Sequence, residues 1–576
     1  MIAEQQPILQ VQGLTVSFAN GKQRNTAVES VSLALQRGET LAIVGESGSG
    51  KSVTSLAIMQ LLPNKAANID CGAVKYYDQS AKQQVVLSDL SEKGIINYRG
   101  VKVAMIFQEP MTALNPSHKC GRQVAEVMHI HTSLPADEVK AKVLHMFGQV
   151  DLPDPDRIYD SYPHQLSGGQ LQRVMIAMAL ICKPDVLIAD EPTTALDVTV
   201  QNRIISLLAE LKKETGISTI FITHDLGLVR QIADRVVVMH QGQVVEQGTT
   251  QQIFEAPTAA YTRGLLACRP PLSCRYTRLP VVADFLGSDV SVQDFVTPLV
   301  ETAEQYEARQ QAIANSPIIL QATGLTKHYA TSTNFWGKAT AVVKAVDDVS
   351  FKLRKGETLG LVGESGCGKS TLAKVLLRLT EPTAGRVTFD GKDVLSLTGS
   401  ALRSLRKDYQ IIFQDPYGSL NPRMKVGKAI QEPMQIHSIG SSKQDRKDRV
   451  VNLLEKVGLS ADHYDRYPHQ FSGGQRQRIC IARALGLQPK FILCDESVSA
   501  LDVSVQAQVL NLLTDLRSEF DLSYIFISHD LSVVKHISDR IMVMREGKIV
   551  EEGHTNAVID HPQQQYTKDL IAAILV

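Results

Sequence analysis

Short apolar runs punctuate the chain, and each ends in a polar or glycine-rich turn. The first half contains Leu41 to Val44, Val103 to Phe107, Val186 to Ala189 and Thr219 to Ile222. The second half answers with Leu359 to Val362, Ile411 to Phe413, Phe491 to Cys494 and Tyr524 to Ile527. Runs of this length predict strands, and none approaches the roughly 18 to 20 apolar residues of a membrane-spanning helix. Two longer stretches, Leu171 to Leu180 and Arg476 to Leu485, read as helices that follow Ser-Gly-Gly-Gln. Strands alternating with helices predict an α/β architecture.

The pattern occurs twice. Gly45 to Ser52 and Gly363 to Ser370 lie 318 residues apart, each directly after an apolar strand. Ser167-Gly168-Gly169-Gln170 corresponds to Ser472-Gly473-Gly474-Gln475, and Asp190-Glu191 to Asp495-Glu496. In both copies the serine precedes the aspartate by 23 residues, and the aspartate precedes a histidine, His224 or His529, by 34. The first glycine lies 63 residues before Gln108 but only 51 before Gln414, so the first copy carries 12 extra residues. The polar stretch Asp78 to Lys93 is the expected place for them, as a surface insertion. We expect domains at 1–262 and 317–576, joined by a linker with some helix at 263–316.

Gly-x-x-x-x-Gly-Lys-Ser after a strand is phosphate chemistry. Glycines let successive N–H groups turn inward around phosphate oxygens, the helix N-terminus adds positive potential, and the lysine reaches the outer phosphates. Candidate nucleotide-binding positions are therefore Gly45, Ser47, Gly48, Ser49, Gly50, Lys51 and Ser52, and Gly363, Ser365, Gly366, Cys367, Gly368, Lys369, Ser370 and Thr371. Ser52 and Ser370 would hold Mg²⁺. Each Asp-Glu pair ends a buried strand where open α/β sheets bind ligands, so Asp190 and Asp495 would support the cation while Glu191 and Glu496 polarise the attacking water. A lone histidine after a strand is ordinarily structural; recurrence at a fixed distance makes His224 and His529 candidates for sensing the γ-phosphate. Gln108 and Gln414 could touch the metal or the water. The serine before each Gly-Gly-Gln is either a plain N-cap or part of an anion site, and as an anion site it would complete the other copy's phosphate loop.

Composition narrows the class. Of 576 residues, 44% are hydrophobic and 21% charged, an ordinary globular balance. Lys+Arg and Asp+Glu stand at 60 each, which leaves no global basic field for nucleic acid. The N-terminus lacks the basic start and apolar core of a signal peptide, so the chain is expected in the cytoplasm. Eight scattered cysteines predict small core residues rather than a disulfide framework, with Cys367 inside the second phosphate loop.

With these motifs the chain resembles the ATP-binding-cassette ATPases over about 500 residues. The resemblance implies two tandem P-loop NTPase cassettes, each with an antiparallel β subdomain and a helical signature subdomain. It implies cassettes closing head to tail over two ATP, with Ser472 and Gly474 completing the first site and Ser167 and Gly169 the second. Phe18 and Tyr329 match the adenine-stacking aromatic; either could equally be a strand core residue. Asp197 and Asp502 match the loop linking the sites. Phe471 and Ser497 replace a usual leucine and proline, and neither change removes a catalytic group.

The segments Glu109 to Pro116 and Asp415 to Pro422, and the endings Phe254 to Leu265 and Asp560 to Leu570, are similar to those of the peptide/nickel uptake subfamily. That likeness implies two permease subunits, a substrate-binding protein, a peripheral position on the cytoplasmic face of the cell membrane, and a peptide cargo such as glutathione or di-/oligopeptides. A soluble double-cassette ATPase acting on ribosomes or nucleic acid is the alternative class, and nickel an alternative cargo. Cys268 and Cys274 fall short of the four thiolates an iron–sulfur cluster generally takes.

Overall fold

The computed structural model describes residues 6–20, 23–63, 66–79, 81–193, 198–287, 290–333 and 339–575. It divides into two compact units. The first runs to Leu266 and includes Val282–Val290; the second comprises chiefly Ala267–Val281 and the chain from Ser291 onward.

In the first unit, β1 (Leu9–Asn20), β2 (Gln23–Leu35), β4 (Ala67–Asp78) and β5 (Gln83–Val86) make a four-stranded antiparallel sheet in the order β2-β1-β4-β5. A second sheet contains β3 (Thr40–Val44), β6 (Val103–Ile106), β7 (Val186–Asp190), β8 (Ser218–Ile222), β9 (Arg235–His240) and β10 (Gln243–Thr249), in the order β10-β9-β3-β8-β7-β6. Within it β10 is antiparallel to β9 and the other pairs are parallel. Every residue of β3, β7 and β8 is buried, as expected of parallel strands covered on both faces.

The second unit repeats the plan. Its antiparallel sheet has the order β12-β11-β14-β15, from β11 (Ile318–Thr333), β12 (Ala339–Arg354), β14 (Ala384–Phe389) and β15 (Lys392–Asp393). Its main sheet has the order β16-β17-β18-β13-β19-β20, from β13 (Thr358–Val362), β16 (Tyr409–Ile412), β17 (Phe491–Asp495), β18 (Ser523–Ile527), β19 (Arg540–Arg545) and β20 (Lys548–His554). Each unit also has a helical layer. Cys120–His131, Ala136–Gln149 and Gly168–Leu180 share a core that includes Val124, Phe147 and Val174; Val426–Ile436, Lys443–Lys456 and Gly473–Leu485 are their counterparts. The α/β class and the antiparallel and helical subdomains are thus all present.

The extra residues of the first copy are not one insertion at 78–93. Tyr76 pairs with Val85, and its counterpart Phe389 with Lys392, so eight residues lie inside the first hairpin and two inside the second. Cys71 and Ala384 face Thr15 and Thr326 at equivalent places, yet Cys71 lies 13 residues past the helix end Ile58, and Ala384 eight past Leu376. Part of the surplus therefore extends the ladder, with Ala67, Asn68 and Ile69 opposite Phe18, Ser17 and Val16. Extended residues that find backbone partners are invisible to a search for polar loops.

The stretch between the two repeats contributes two arginines to a buried charge cluster of the second unit. Arg275 and Arg309 both reach Asp539, which is wholly buried and also meets Arg517 at 3.0 Å. Arg309 forks onto Glu301 at 2.9 and 3.0 Å, and Arg275 donates to Ser538 O at 2.9 Å. The corresponding Asp234 of the first unit pairs with Lys212 at 2.8 Å, accepts from Thr40 N at 2.7 Å and stays half exposed. None of the eight cysteines forms a disulfide, and Cys120, Cys268, Cys367, Cys480 and Cys494 are buried.

Candidate nucleotide sites

Each phosphate loop joins the central strand of its main sheet to a helix, Lys51–Ile58 or Lys369–Leu376. Glycine is required where the loop closes against its neighbours. A Cβ on Gly45 would lie 2.1 Å from Met239 O, and one on Gly368 2.0 Å from Ala345 O, with φ of +151° and +114°. The loop tips, Ser47-Gly48 and Ser365-Gly366, are exposed, whereas Ser49, Gly50 and their counterparts Cys367 and Gly368 are buried. Buried Ser49 Oγ has no hydrogen-bond partner among the described residues, and Cys367 fills the same place with its thiol pKa pushed up by burial. Cys367 is therefore a packing residue, held away from the reactive thiolate form.

Lys51 Nζ donates to Gly45 O and Glu46 O, both at 2.8 Å; Lys369 Nζ does the same to Gly363 O at 2.8 Å and Glu364 O at 2.9 Å. The lysines are nearly buried, so their charge is concentrated at the loop. Ser52 Oγ donates to Asp190 at 3.1 Å and Ser370 Oγ to Asp495 at 3.0 Å. Burial pushes Asp190 up to about 6 and moves Asp495 the same way. A partly buried hydroxyl beside a buried carboxylate, two oxygen donors side by side at each loop, fits a hard divalent cation.

The glutamates, glutamines and histidines converge as well. Gln108 Nε2 donates to Glu191 at 3.0 Å and Gln414 Nε2 to Glu496 at 2.7 Å. His224 Nδ1 lies 3.4 Å from Glu191, and His529 Nδ1 3.8 Å from Glu496. Burial disfavours a charged imidazole, yet the carboxylate outweighs it and raises the pKa of both histidines. Interaction with His529 in turn holds Glu496 low. One feature escapes any motif: Glu191 and Glu496 sit in the left-handed region, at φ of 48° and 47°. Their N–H groups bond Ile222 O and Ile527 O at 2.9 and 3.0 Å, which turns the chain at the carboxylate. Non-glycine residues held this way cluster at functional sites.

Among the remaining candidates, Ser167 and Ser472 each cap the following helix through Gln170 N and Gln475 N, both at 3.3 Å, with the glutamine side chain returning to the serine N–H. Both serines are exposed at helix starts, and Gly169 and Gly474 lie in the first turn. Gly474 is small because Val505 Cγ1 would stand 2.3 Å from a Cβ. Phe18 is half-buried against the core of the first unit, while Tyr329 is 41% exposed, with Lys327 Nζ 5.0 Å from its ring centre. Asp502 caps the helix Val503–Phe520, and Asp197 lies outside the described residues. Sequence reasoning missed Tyr261 and Tyr566, whose hydroxyls accept from Glu46 N and Glu364 N at the loop. Their signal was present in the two similar endings, which pointed to a subfamily and not to a site.

Strand, glycine loop, buried lysine, hydroxyl and carboxylate define a P-loop NTPase, built twice. Residues 28–194 and 346–499 match the family described as ABC transporter, and residues 245–284 match the oligopeptide/dipeptide transporter C-terminal region. The chain belongs to the ABC transporter family, as an ATP-binding ATPase component. It is 50% identical, over 99% of its length and 90% of the relative's, to the "Glutathione import ATP-binding protein GsiA" of Salmonella paratyphi A, and 48% identical over the same shares to that of Escherichia coli (strain K12). Among solved structures, a dimeric cassette bound to ADP and Pi aligns with 41% of this chain and 99% of its own, at 28% identity and TM-score 0.38.

Proposed function

We propose that this chain is the ATP-hydrolysing subunit of a peptide importer, with glutathione first and di- or oligopeptides next as cargo. It would work with two membrane permease subunits and a substrate-binding protein at the cytoplasmic face of the cell membrane. The relatives' import names and the C-terminal match support the cargo and partners. The observation that carries the chemistry is the repeated hydrogen-bonded set of glutamine, glutamate and histidine beside a lysine-bearing phosphate loop. No helix among the described residues is long and apolar enough to cross a membrane, so a translocation path would come from partners.

In this reading the loop amides and Lys51 or Lys369 hold the phosphates. Ser52 with Asp190, and Ser370 with Asp495, would hold Mg²⁺, with Gln108 and Gln414 beside them. The cation supplies charge neutralisation on the phosphate oxygens. Glu191 and Glu496 align the attacking water and accept its proton, and the histidines beside them would sense the γ-phosphate. The signature residues Ser472 with Gly474, and Ser167 with Gly169, would complete the first and second sites in turn. Phe18 and Tyr329 would offer faces to adenine. The functional cassettes would be 1–262 and 317–576, joined through 263–316. Closure over ATP would move the surfaces Glu109 to Pro116 and Asp415 to Pro422 against the permeases.

The test is uptake of labelled glutathione, beside a mixed dipeptide pool, in cells lacking the chain. Wild type should restore glutathione uptake and Glu191→Gln/Glu496→Gln should not. Restoration of dipeptide uptake alone would remove glutathione as cargo and keep the importer; response to neither would remove peptide import and bring nickel uptake forward.

A further inference from the structure

One arrangement outside the nucleotide motifs recurs in both units. Tyr261 is the second residue of the helix Ala260–Ala267, and Tyr566 of the helix Gln565–Leu575. Each phenol oxygen accepts from the N–H just after the loop's first glycine, from Glu46 at 3.2 Å and from Glu364 at 3.1 Å. That N–H belongs to the same peptide unit whose carbonyl, on Gly45 or Gly363, accepts from the loop lysine at 2.8 Å. The peptide plane is thus held at both ends, by lysine on its oxygen and by tyrosine on its nitrogen.

The tyrosines are themselves fixed. His240 stacks on Tyr261 with ring centres 4.1 Å apart and planes at 21°, and the Arg545 guanidinium lies 5.0 Å over the Tyr566 ring. His240 and Arg545 end β9 and β19, one residue beyond the carbonyls that close on Gly45 and Gly363. The helices are anchored too. Glu246 on β10 accepts from Thr258 N at 2.7 Å and Ala259 N at 3.1 Å; Glu551 on β20 accepts from Gln563 N at 2.8 Å and Gln564 N at 3.1 Å. Glutamate, tyrosine and stacking partner all repeat at an offset of 305 residues. The partner changes from histidine to arginine while the hydroxyl contact stays.

We infer that Tyr261 and Tyr566 are positioning residues that pre-orient the phosphate loops, and that the helix after each cassette's last strand acts as a strut for its nucleotide site. The inference rests on the nucleotide-binding reading of these loops. A loop whose first peptide is held before ATP arrives loses less freedom on binding. Glu191, Gln108, His224 and their counterparts lie on other segments, so the chemical step does not depend on this contact. Replacing tyrosine by phenylalanine keeps the ring and deletes the hydroxyl, and with it the acceptor for the loop N–H.

The test uses the full chain as wild type, Tyr261→Phe, Tyr566→Phe and the double variant. Equilibrium binding of a fluorescent ATP analogue with Mg²⁺ and the KM and kcat for Mg-ATP are measured, with amide hydrogen exchange across residues 41–52 and 359–370 in the nucleotide-free chain. In the double variant the Kd and KM should rise about 2- to 10-fold, the range of one hydrogen bond, while kcat holds within about twofold. Each single variant should speed amide exchange only in its own loop. Unchanged Kd and exchange in the double variant overturn the inference, as does a fall in kcat with Kd and KM fixed. Absence of turnover in wild type alongside the expected rise in Kd would support the strut and remove the hydrolysis reading, so the two fail separately.

Discussion

Glu191 and Glu496 carry the most consequence per atom. Each combines a left-handed backbone with a carboxylate that accepts from glutamine and stands beside histidine. Because both copies retain the complete set, both sites are expected to turn over. Glu191→Gln or Glu496→Gln alone should leave a measurable part of the ATPase rate, and the pair together should lower it at least about 100-fold, the lower range for loss of a general base. Abolition by Glu191→Gln alone, with no change on Glu496→Gln, would sink the idea of two active sites; phosphate release from the purified chain decides it. Residue identity and spacing were legible in the sequence down to Ser52 and Asp190, because phosphate chemistry restricts which side chains can serve. The positive φ was not, since nothing in Asp-Glu distinguishes a strained glutamate from one at an ordinary strand end.

His536 poses a different residue-scale question. Burial, helped by Arg275 and Arg309, pushes its pKa down to about 3. The unfolded chain, with an ordinary histidine, binds the proton first, so stability present near neutral pH is lost as pH falls below about 6.5 and continues to fall toward 3. The loss should reach roughly 2 kcal/mol by pH 5. Denaturant melts at pH 7 and pH 5 check this, and His536→Gln should flatten the dependence.

At the scale of elements, the phosphate loop works because a helix, a glycine turn and a neighbouring strand crowd together. Gly368→Ala places a methyl 2.0 Å from Ala345 O in a backbone of φ +114°. The second loop should then lose nucleotide while the first keeps it, so equilibrium dialysis should find about one nucleotide per chain against an expected two for wild type. The antiparallel sheets show how far element-scale reading reaches. Their existence followed from resemblance, but the division of the first copy's surplus between a longer ladder and a longer hairpin depends on pairing partners. A polar stretch such as Asp78 to Lys93 looks like a loop until its backbone finds a neighbour.

At the scale of the whole molecule, the chain between the repeats is the informative part. Asp539 is buried among Arg275, Arg309 and Arg517, whereas Asp234 in the first unit pairs with Lys212, accepts from Thr40 N and is half exposed. Asp539→Asn strands buried guanidinium charge and should cost about 3 to 5 kcal/mol; Asp234→Asn, half exposed, should cost about 1 kcal/mol. Urea melts of the two variants make the comparison, and equal losses would show that Asp539 is not the keystone of its cluster. Charge pairing of this kind could not be read from residues 263–316, where Arg275 and Arg309 look like any surface arginines.

The sequence by itself determined the duplication, the phosphate loops, the Asp-Glu and histidine positions and the family, because each depends on side-chain types at short, rigid spacings. Tertiary structure alone decided which atoms meet. It brought Gln108 onto Glu191, turned the glutamate backbone left-handed, set Tyr261 and Tyr566 on the loops from more than 200 residues away, and buried Asp539 under arginines from the intervening segment. Contacts between distant segments depend on packing geometry, and no local pattern encodes that.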